Sequence, residues 1–544
     1  MIKKLHSIAI LSVISCFAFA NDITYSPAKE EKPIVVVIPS YNNKQFYQKN
    51  LDSVFQQAYD NYSVIYINDA SPDQTGRLVA EYIKEKGQEK KVTLINNKKN
   101  KGALHNLYNA IHSCDDNTII VTLDGDDWFK DEQVLNIVNE TYQKNDIWMT
   151  YGQYEELHFS KRHNKYITKP GHCKQIPPNI IRADAYREDT FVSSHLRTFY
   201  AGLFKKIKLE DFLHHSSFYD VTWDLAFMFP MLEMVKGKFK FIDKTLYVYN
   251  CITPINDFKI KLQKQLHFAN VIKAKEKYQP QKSFTRDIDI DKKADIIILS
   301  EGNTTQLYAA LESLYCYMSG IGQIHVLYSS GDDTQYKKID QAFPDVTFLP
   351  CQKNNFKSRL EDTIQATDTT YIILSTDTTL VKDFVNIKKC IEIMDRTYAY
   401  GFYLDLGKNI TEHIYMCRKQ HHPPLVEIKH GLYAWQFQDG EQEWRTPHKL
   451  SMAIYRKTDI INVINQMQYD SINVLEKVWN NHLFDFEKVG LCFESSKTIQ
   501  LEPTNKEGLV DICNKNIKIN IAPLFLIKNS ITTIKSNLIP KSIS

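Results

Sequence analysis

Short aliphatic runs alternate with amphipathic stretches from Ile34 to about Gly152. Ile34–Ile38, Val64–Asn68, Val92–Ile95 and Ile119–Leu123 read as strands, being apolar runs of strand length flanked by turn-forming residues. Between them, Phe46–Gln57 has Leu51, Val54 and Phe55 on one side, and Gly76–Lys86 and Ala103–His112 also have helical spacing. This alternation predicts βαβ units, hence an α/β domain with a mostly parallel sheet and flanking helices. Ligands of such sheets bind beyond the carboxyl ends of the strands. The strands deliver polar or acidic clusters to those ends: Pro39-Ser-Tyr-Asn42, Asn68-Asp-Ala-Ser-Pro-Asp73 and Asp124-Gly-Asp-Asp127.

Residues 153–260 are less regular and rich in aromatics, and are expected to complete the first domain and supply the other wall of its cleft. Residues 261–292, charged and containing Pro280, read as a linker. A second strand-rich pattern fills 293–510, leaving 511–544 as a tail. Asp295–Asn303 echoes Ile34–Asn42, Leu311–Leu314 echoes Leu51–Val54, Ile324–Ser330 echoes Val64–Ala70, and Tyr371–Thr378 echoes Ile120–Asp127. Order and spacing are kept, which predicts a tandem duplication.

The chain has 544 residues, 43% hydrophobic and 24% charged, enough for two or three domains with their own cores. Its net charge of +3 is spread without long basic blocks, which argues against a nucleic-acid partner. The ten cysteines are scattered with no Cys-x-x-Cys pair, so buried thiols are expected rather than a metal cluster, with one or two disulfides the alternative for an exported protein. At the N-terminus, Lys3 and Lys4 precede the apolar run Ile8–Ala20, and Ala18-Phe-Ala20 fits a signal cleavage site. Residues 1–20 therefore read as a signal peptide and the protein as exported or membrane-associated. Lipidation at Cys16 and an uncleaved anchor at the cytoplasmic face are the alternatives.

Asp124-Gly-Asp126 follows a buried strand, where carboxylates are costly unless a cation or ligand uses them. Hard cations such as Mg²⁺ and Mn²⁺ sit between one or two carboxylates and substrate phosphates. Gly125 suits close approach of the backbone to a ligand. In the second cluster, Asp69 is placed to accept a hydrogen bond from a base or a ribose hydroxyl. In the first, Tyr41 is either a platform for a planar base or a core tyrosine.

Ile38-Pro-Ser-Tyr-Asn42, Asn68-Asp-Ala-Ser-Pro-Asp73, Asn100-Lys-Gly102 and Leu123-Asp-Gly-Asp-Asp-Trp128 occur in the order seen in family 2 glycosyltransferases. The chain resembles that family over about Pro33–Asn256, within a domain of residues 33–260. The resemblance implies a GT-A fold and inverting transfer of a sugar from a nucleotide-diphosphate sugar, UDP-sugars being favoured. It further implies that Pro39, Tyr41 and Asp69 hold the nucleotide, that Asp124 lies near the ribose and the metal, and that Asp126 binds Mn²⁺ or Mg²⁺. His195 and Arg197, in Ser194-His-Leu-Arg-Thr-Phe199, would contact the diphosphate or the metal. Inversion needs a base on the acceptor side. Asp224, opening the apolar stretch Trp223–Glu233, is the leading candidate and Asp220 the runner-up; a helix N-cap is the plain alternative for Asp224. The acceptor would be a glycan, lipid or protein hydroxyl.

In the repeat, Ser375-Thr-Asp377 falls opposite Asp124-Gly-Asp126 and Ser300-Glu-Gly302 opposite Pro39-Ser-Tyr41, so one carboxylate remains and the second domain is expected to be degenerate. Trp435, Trp444, Glu476 and Trp479 are either a sugar-binding set or packing residues. Two other classes compete. A nucleotidyltransferase would carry a Gly-rich basic loop after the first strand, which Pro39–Asn43 lacks. An exported carbohydrate-binding or surface protein on an inactive transferase fold would fit the signal segment but not the intact acids.

Overall fold

The computed structural model describes residues 30–144, 146–253, 261–286, 292–329, 333–411 and 419–501. The expected signal peptide at 1–20 and tail at 511–544 lie outside the described residues. The first half of the first domain runs β1 (Ile34–Ser40), α1 (Tyr47–Phe55), β2 (Tyr62–Asn68), α2 (Thr75–Glu85), β3 (Val92–Asn96), α3 (Ala103–His112), β4 (Ile119–Thr122). These are the elements the hydrophobic pattern predicts, shifted by a residue or two at their ends. The second half adds β5 (Trp128–Phe129), α4 (Val134–Lys144), β6 (Met149–Ser160), β7 (Lys165–Pro170), α5 (Pro178–Ala183), β8 (Arg197–Tyr200) and α6 (Ala201–Phe204). It closes with β9 (Leu213–His214), β10 (Ser217–Phe218), α7 (Trp223–Val235) and β11 (Phe239–Asn250).

The main sheet has the order β3–β2–β1–β4–β8–β6–β11–β5, with β7 on β6. β3, β2, β1 and β4 are parallel, β8 is antiparallel to both neighbours, and β6 and β11 are again parallel. β1 is buried over nearly its whole length, as a central strand covered by helices on both faces must be. α1 buries Tyr47, Asn50, Leu51 and Val54, one helical stripe. α7 is apolar all round, and every residue from Leu225 to Val235 is buried, so it forms part of the core.

Part of the segment read as a linker is a helix, α8 (Leu262–Ala274), which buries Phe268 and Ile272 against the first domain. Arg187 fastens it there. Its guanidinium makes two bonds to the Glu233 carboxylate of α7 (2.5 and 2.9 Å) and donates to the carbonyls of Ile272 and Lys275 (2.8 and 3.1 Å).

The second domain repeats the plan. Val346–Cys351, Ile321–Ser329, Ala294–Ser300 and Tyr371–Thr376 lie side by side in parallel, followed by antiparallel Ala453–Arg456 and then by the parallel pair Gly401–Tyr403 and Val489–Phe493. The domains meet beside α3: Lys101 Nζ lies 3.4 Å from Glu427 Oε2, and Arg396 Nη2 donates to Asn109 Oδ1 (2.7 Å). Trp435, Trp444 and Trp479 are fully buried, so they are packing residues and the sugar-platform alternative falls. Cys114, Cys173, Cys316, Cys351, Cys390 and Cys492 are free thiols. Among the described residues no helix is long and apolar enough to cross a membrane.

Candidate active site

At the carboxyl ends of β1, β2 and β4 a cleft of about 630 Å³ opens between the parallel β3–β2–β1–β4 half of the sheet and the α7–α8 side. Pro39, Tyr41, Asp69, Asp124, Asp126, His195, Arg197 and Asp224 all line it. Sequence reasoning thus named eight side chains that fold into one hollow; the runner-up Asp220 instead pairs at the surface with Lys264 (2.8 Å).

The acidic loop is held from behind. Asn50 Nδ2 donates to the carbonyls of Asp124 and Asp127 (3.0 and 2.7 Å), Asn250 Nδ2 to that of Asp126 (3.1 Å), and the Asp124 amide donates to Tyr247 Oη (3.2 Å). Asp127 is consumed by this truss: its oxygens accept from the Tyr247 hydroxyl (2.6 Å) and the Asn250 amide (2.7 Å). Burial raises its carboxyl well above the usual range, and the charges of Asp126 and Asp124 push the same way. Burial also raises Asp126, against a bond from Thr253. Asp124 and Asp126, two acids on the cleft wall, offer carboxylate oxygens whose charge a hard divalent cation would neutralise. The residues present therefore fit Mg²⁺ or Mn²⁺. Gly125 is required for a different reason from the expected one. A Cβ there would stand 2.6 Å from Ser40 Cβ and Asn43 Nδ2, so it is the loop's approach to β1, not to a ligand, that excludes a side chain.

The Asp69 carboxylate accepts from the amides of Lys101 (3.0 Å) and Gly102 (2.8 Å) and from Asn97 Nδ2 (2.7 Å). It clamps the loop that enters α3, where Gly102 has a φ of 86° that favours glycine. Tyr41 is 41% exposed at the rim, which excludes the core-tyrosine alternative. Asp73, just before α2, accepts from the amides of Thr75 (3.0 Å) and Lys44 (3.1 Å) and so ties the helix start to the loop after β1.

Across the cleft, Arg197 is buried with its guanidinium 5.4 Å from the Trp223 ring and its Nη1 3.3 Å from Asp224 Oδ2. Its Nε is buried with no partner among the described residues. Asp224 sits in the first turn of α7, whose N-cap is Thr222, so the N-cap alternative falls. His195 stacks on Tyr247 and Tyr249 at 4.6 and 5.3 Å. Burial, with Arg197 and His172 adding to it, lowers its pKa well below the usual histidine value, so the ring is neutral at pH 7.

Several lining residues escaped the sequence: Asn43, Asn106, His172, Tyr249 and, from α8, Leu262, Gln265 and Leu266. Only α8 carried a signal, Leu262, Leu266 and Ala269 recurring at helical spacing within the charged segment.

The backbone register corrects the reading of the repeat by one residue. Val35 pairs with Ile120 and Asp295 with Ile372. The amide of Gly125 donates to Pro39 O (3.1 Å), and that of Asp377 to Leu299 O (3.2 Å). Asp377 therefore stands at Gly125's place, with Thr376 and Thr378 at those of Asp124 and Asp126 and Glu301 at that of Tyr41. Its carboxylate turns inward and accepts from Ser300 Oγ (2.7 Å). By the same register Arg197 becomes Ala453; by order of elements, the second α-helix after that strand carries Asp224 at its second position in the first domain and Asn473 in the second. The second cleft, about 660 Å³, is lined by Thr376, Asp377, Thr378 and Asn473 together with Glu301, Asp405, Glu443, Lys449 and Glu476.

Residues 35–211 match the sequence model of the family described as Glycosyl transferase family 2. The chain is 27% identical over 192 residues to the bifunctional glycosyltransferase pgtA of Dictyostelium discoideum, covering 31% of this chain and 25% of that one. It is 33% identical over 130 residues to an uncharacterized glycosyltransferase of Haemophilus influenzae, covering 24% and 38%. A third relative, 27% identical over 135 residues and matched over 25% of this chain and 50% of its own length, is WfgD of Escherichia coli, named a UDP-Glc:alpha-D-GlcNAc-diphosphoundecaprenol beta-1,3-glucosyltransferase. The chain thus spans half or less of the length of these relatives. Among solved structures, S. aureus TarS 1-349 in complex with UDP-GlcNAc is similar at 12% identity and a TM-score of 0.32, covering 44% of this chain and 66% of that one.

Proposed function

Given that the N-terminal domain belongs to glycosyl transferase family 2, we propose that the protein is a metal-dependent inverting glycosyltransferase with a single working cleft. The donor is a nucleotide-diphosphate sugar, with UDP-sugars favoured, and the acceptor a hydroxyl of a glycan, lipid or protein. The observation that carries this reading is the convergence of Asp124, Asp126, Arg197 and Asp224 on one cleft.

Tyr41 packs on the base at the rim, and Pro39 and the loop clamped by Asp69 shape the nucleotide wall. Asp124 and Asp126 would hold Mg²⁺ or Mn²⁺, which when bound supplies Lewis-acid neutralisation of the leaving diphosphate. Arg197, with an unused buried N–H, and neutral His195 face the diphosphate. Asp224 takes the proton of the acceptor hydroxyl as its oxygen attacks the anomeric carbon. The C–O bond to the diphosphate breaks with the electron pair leaving on phosphate, and the configuration inverts. Trp223 and Arg197 fix the orientation of Asp224 from one side, leaving the carboxylate 26% exposed toward the acceptor.

We further propose that the second domain is degenerate. Thr376, Thr378 and Asn473 replace the acids that would hold metal and activate an acceptor, so it transfers no sugar. The alternative of a carbohydrate-binding protein on an inactive fold is disfavoured by the intact acids of the first cleft. A donor screen that follows nucleotide-diphosphate release with and without Mn²⁺ tests the whole reading. Release of UDP only with metal is expected; no release from any nucleotide sugar, with any acceptor class, overturns it.

A further inference from the structure

Outside the cleft, one trio of side chains has a different ligand chemistry. Glu156 and His158 alternate on β6 and so project from the same face. β11 runs parallel beside them in the register Tyr249 to Glu156 and Asn250 to Leu157. That register brings Cys251 next to His158, with the Cys251 amide donating to Leu157 O (3.0 Å). The carboxylate oxygen, ring nitrogen and sulfur all lie within 4.8 Å of one another, and His158 Nε2 is 2.8 Å from Glu156 Oε2. Cys251 is buried at 7% exposure, while the other two side chains are each 30% exposed.

We propose that Glu156, His158 and Cys251 form a zinc site, with three protein ligands and a fourth position open to water. A thiolate, an imidazole and a carboxylate suit a borderline-soft ion with tetrahedral preference. The all-oxygen set at Asp124 and Asp126 suits hard ions instead, so the two sites differ in metal as well as in place. An i, i+2 pair on β6 and the residue just past β11, held to β6 by the Cys251 amide to Leu157 O bond, give the ligand frame. The site also has a structural consequence. Asn250, next to Cys251, donates from its amide to Asp127 Oδ1 (2.7 Å) and from its side chain to Asp126 O (3.1 Å). A metal at the trio therefore staples the end of β6 to the segment that trusses the acidic loop.

The test uses the untagged full chain carrying Asp126→Ala, so that metal at the donor site is not counted and the result stands apart from the proposed transfer reaction. Titration with Zn²⁺ alone is expected to show one tight site, and Co²⁺ in its place a thiolate-to-metal charge-transfer absorption. Adding Cys251→Ser is expected to abolish that absorption and weaken Zn²⁺ binding by at least the about 10–100-fold that loss of an outer-shell partner produces; Cys492→Ser leaves both unchanged. Zn²⁺ is expected to raise the Tm of the parent but not of His158→Gln, each compared with its own metal-free Tm. An unchanged affinity in Cys251→Ser, or a cobalt complex without the thiolate absorption, would overturn the proposal.

Discussion

Asp127 and Asp126 are chain neighbours with opposite tasks. Asp127 is spent on Tyr247 and Asn250 and holds the loop, whereas Asp126 lines the cleft. Asp124-Gly-Asp-Asp127 advertised the chemistry in sequence, but which acid faces inward depends on partners more than a hundred residues away, and no local pattern carries that. The same limit explains the one-residue error in the repeat, where only the ladder hydrogen bonds put Asp377 in Gly125's place. Asp224→Asn is expected to lower turnover by about 10²–10⁴-fold, the usual worth of a general base, with donor affinity kept; unchanged turnover removes Asp224 from the mechanism. Tyr41→Ala is expected to weaken donor binding by about 1–3 kcal/mol, the worth of a base stacked on an aromatic ring, as read by calorimetric titration. Asp377 has its pKa raised to about 6, first by burial and further by the Glu301 charge, against a bond from Ser300. Its unfolded value is about 3.9, so the folded state keeps the proton longer. The stability it contributes is fully present below about pH 4 and is lost as the pH rises through 6. Asp377→Asn is therefore expected to flatten the stability loss between pH 4 and 7 by about 2 kcal/mol relative to the parent, as measured by denaturant unfolding at each pH.

The elements of the first βαβ half were legible because each carries one period: continuous apolar runs for β1, β2 and β4, and helical stripes for α1 and α3. The α7–α8 side was less so. α7 is apolar on every face and gives no amphipathic signal, and α8 sits in a charged segment whose few apolar residues divide between the core and the cleft. What joins them is the buried Arg187–Glu233 pair, with Glu233 also accepting from the Tyr278 amide (3.0 Å). Removing one partner of a buried, hydrogen-bonded pair leaves the other charge uncompensated, at about 3–5 kcal/mol. Arg187→Ala is expected to destabilise the fold by that amount. It is also expected to loosen the cleft wall carrying Gln265 and Leu266, seen as faster amide exchange in α8; exchange unchanged there would detach the staple from the site.

At the scale of the whole molecule, two sheets share one order over seven strands and differ in the residues at the ends of those strands. A second sheet was readable from the spacing of the strand motifs, because strands are constrained by burial. A degenerate second cleft was expected from the one carboxylate of Ser375-Thr-Asp377, but which residues stand there, Thr376, Thr378 and Ala453, is set by the ladder register and not by any spacing rule. The second domain still borders the first, with Glu427 against Lys101 beside the loop that Asp69 clamps. The proposed function requires one acid-lined, cation-dependent nucleotide cleft, in the first domain alone. Calorimetric titration of the full chain with UDP in Mn²⁺ tests it most directly. One UDP bound per chain, lost in Asp126→Ala and in EDTA, is the predicted result; two bound per chain, or binding that survives Asp126→Ala, would contradict it.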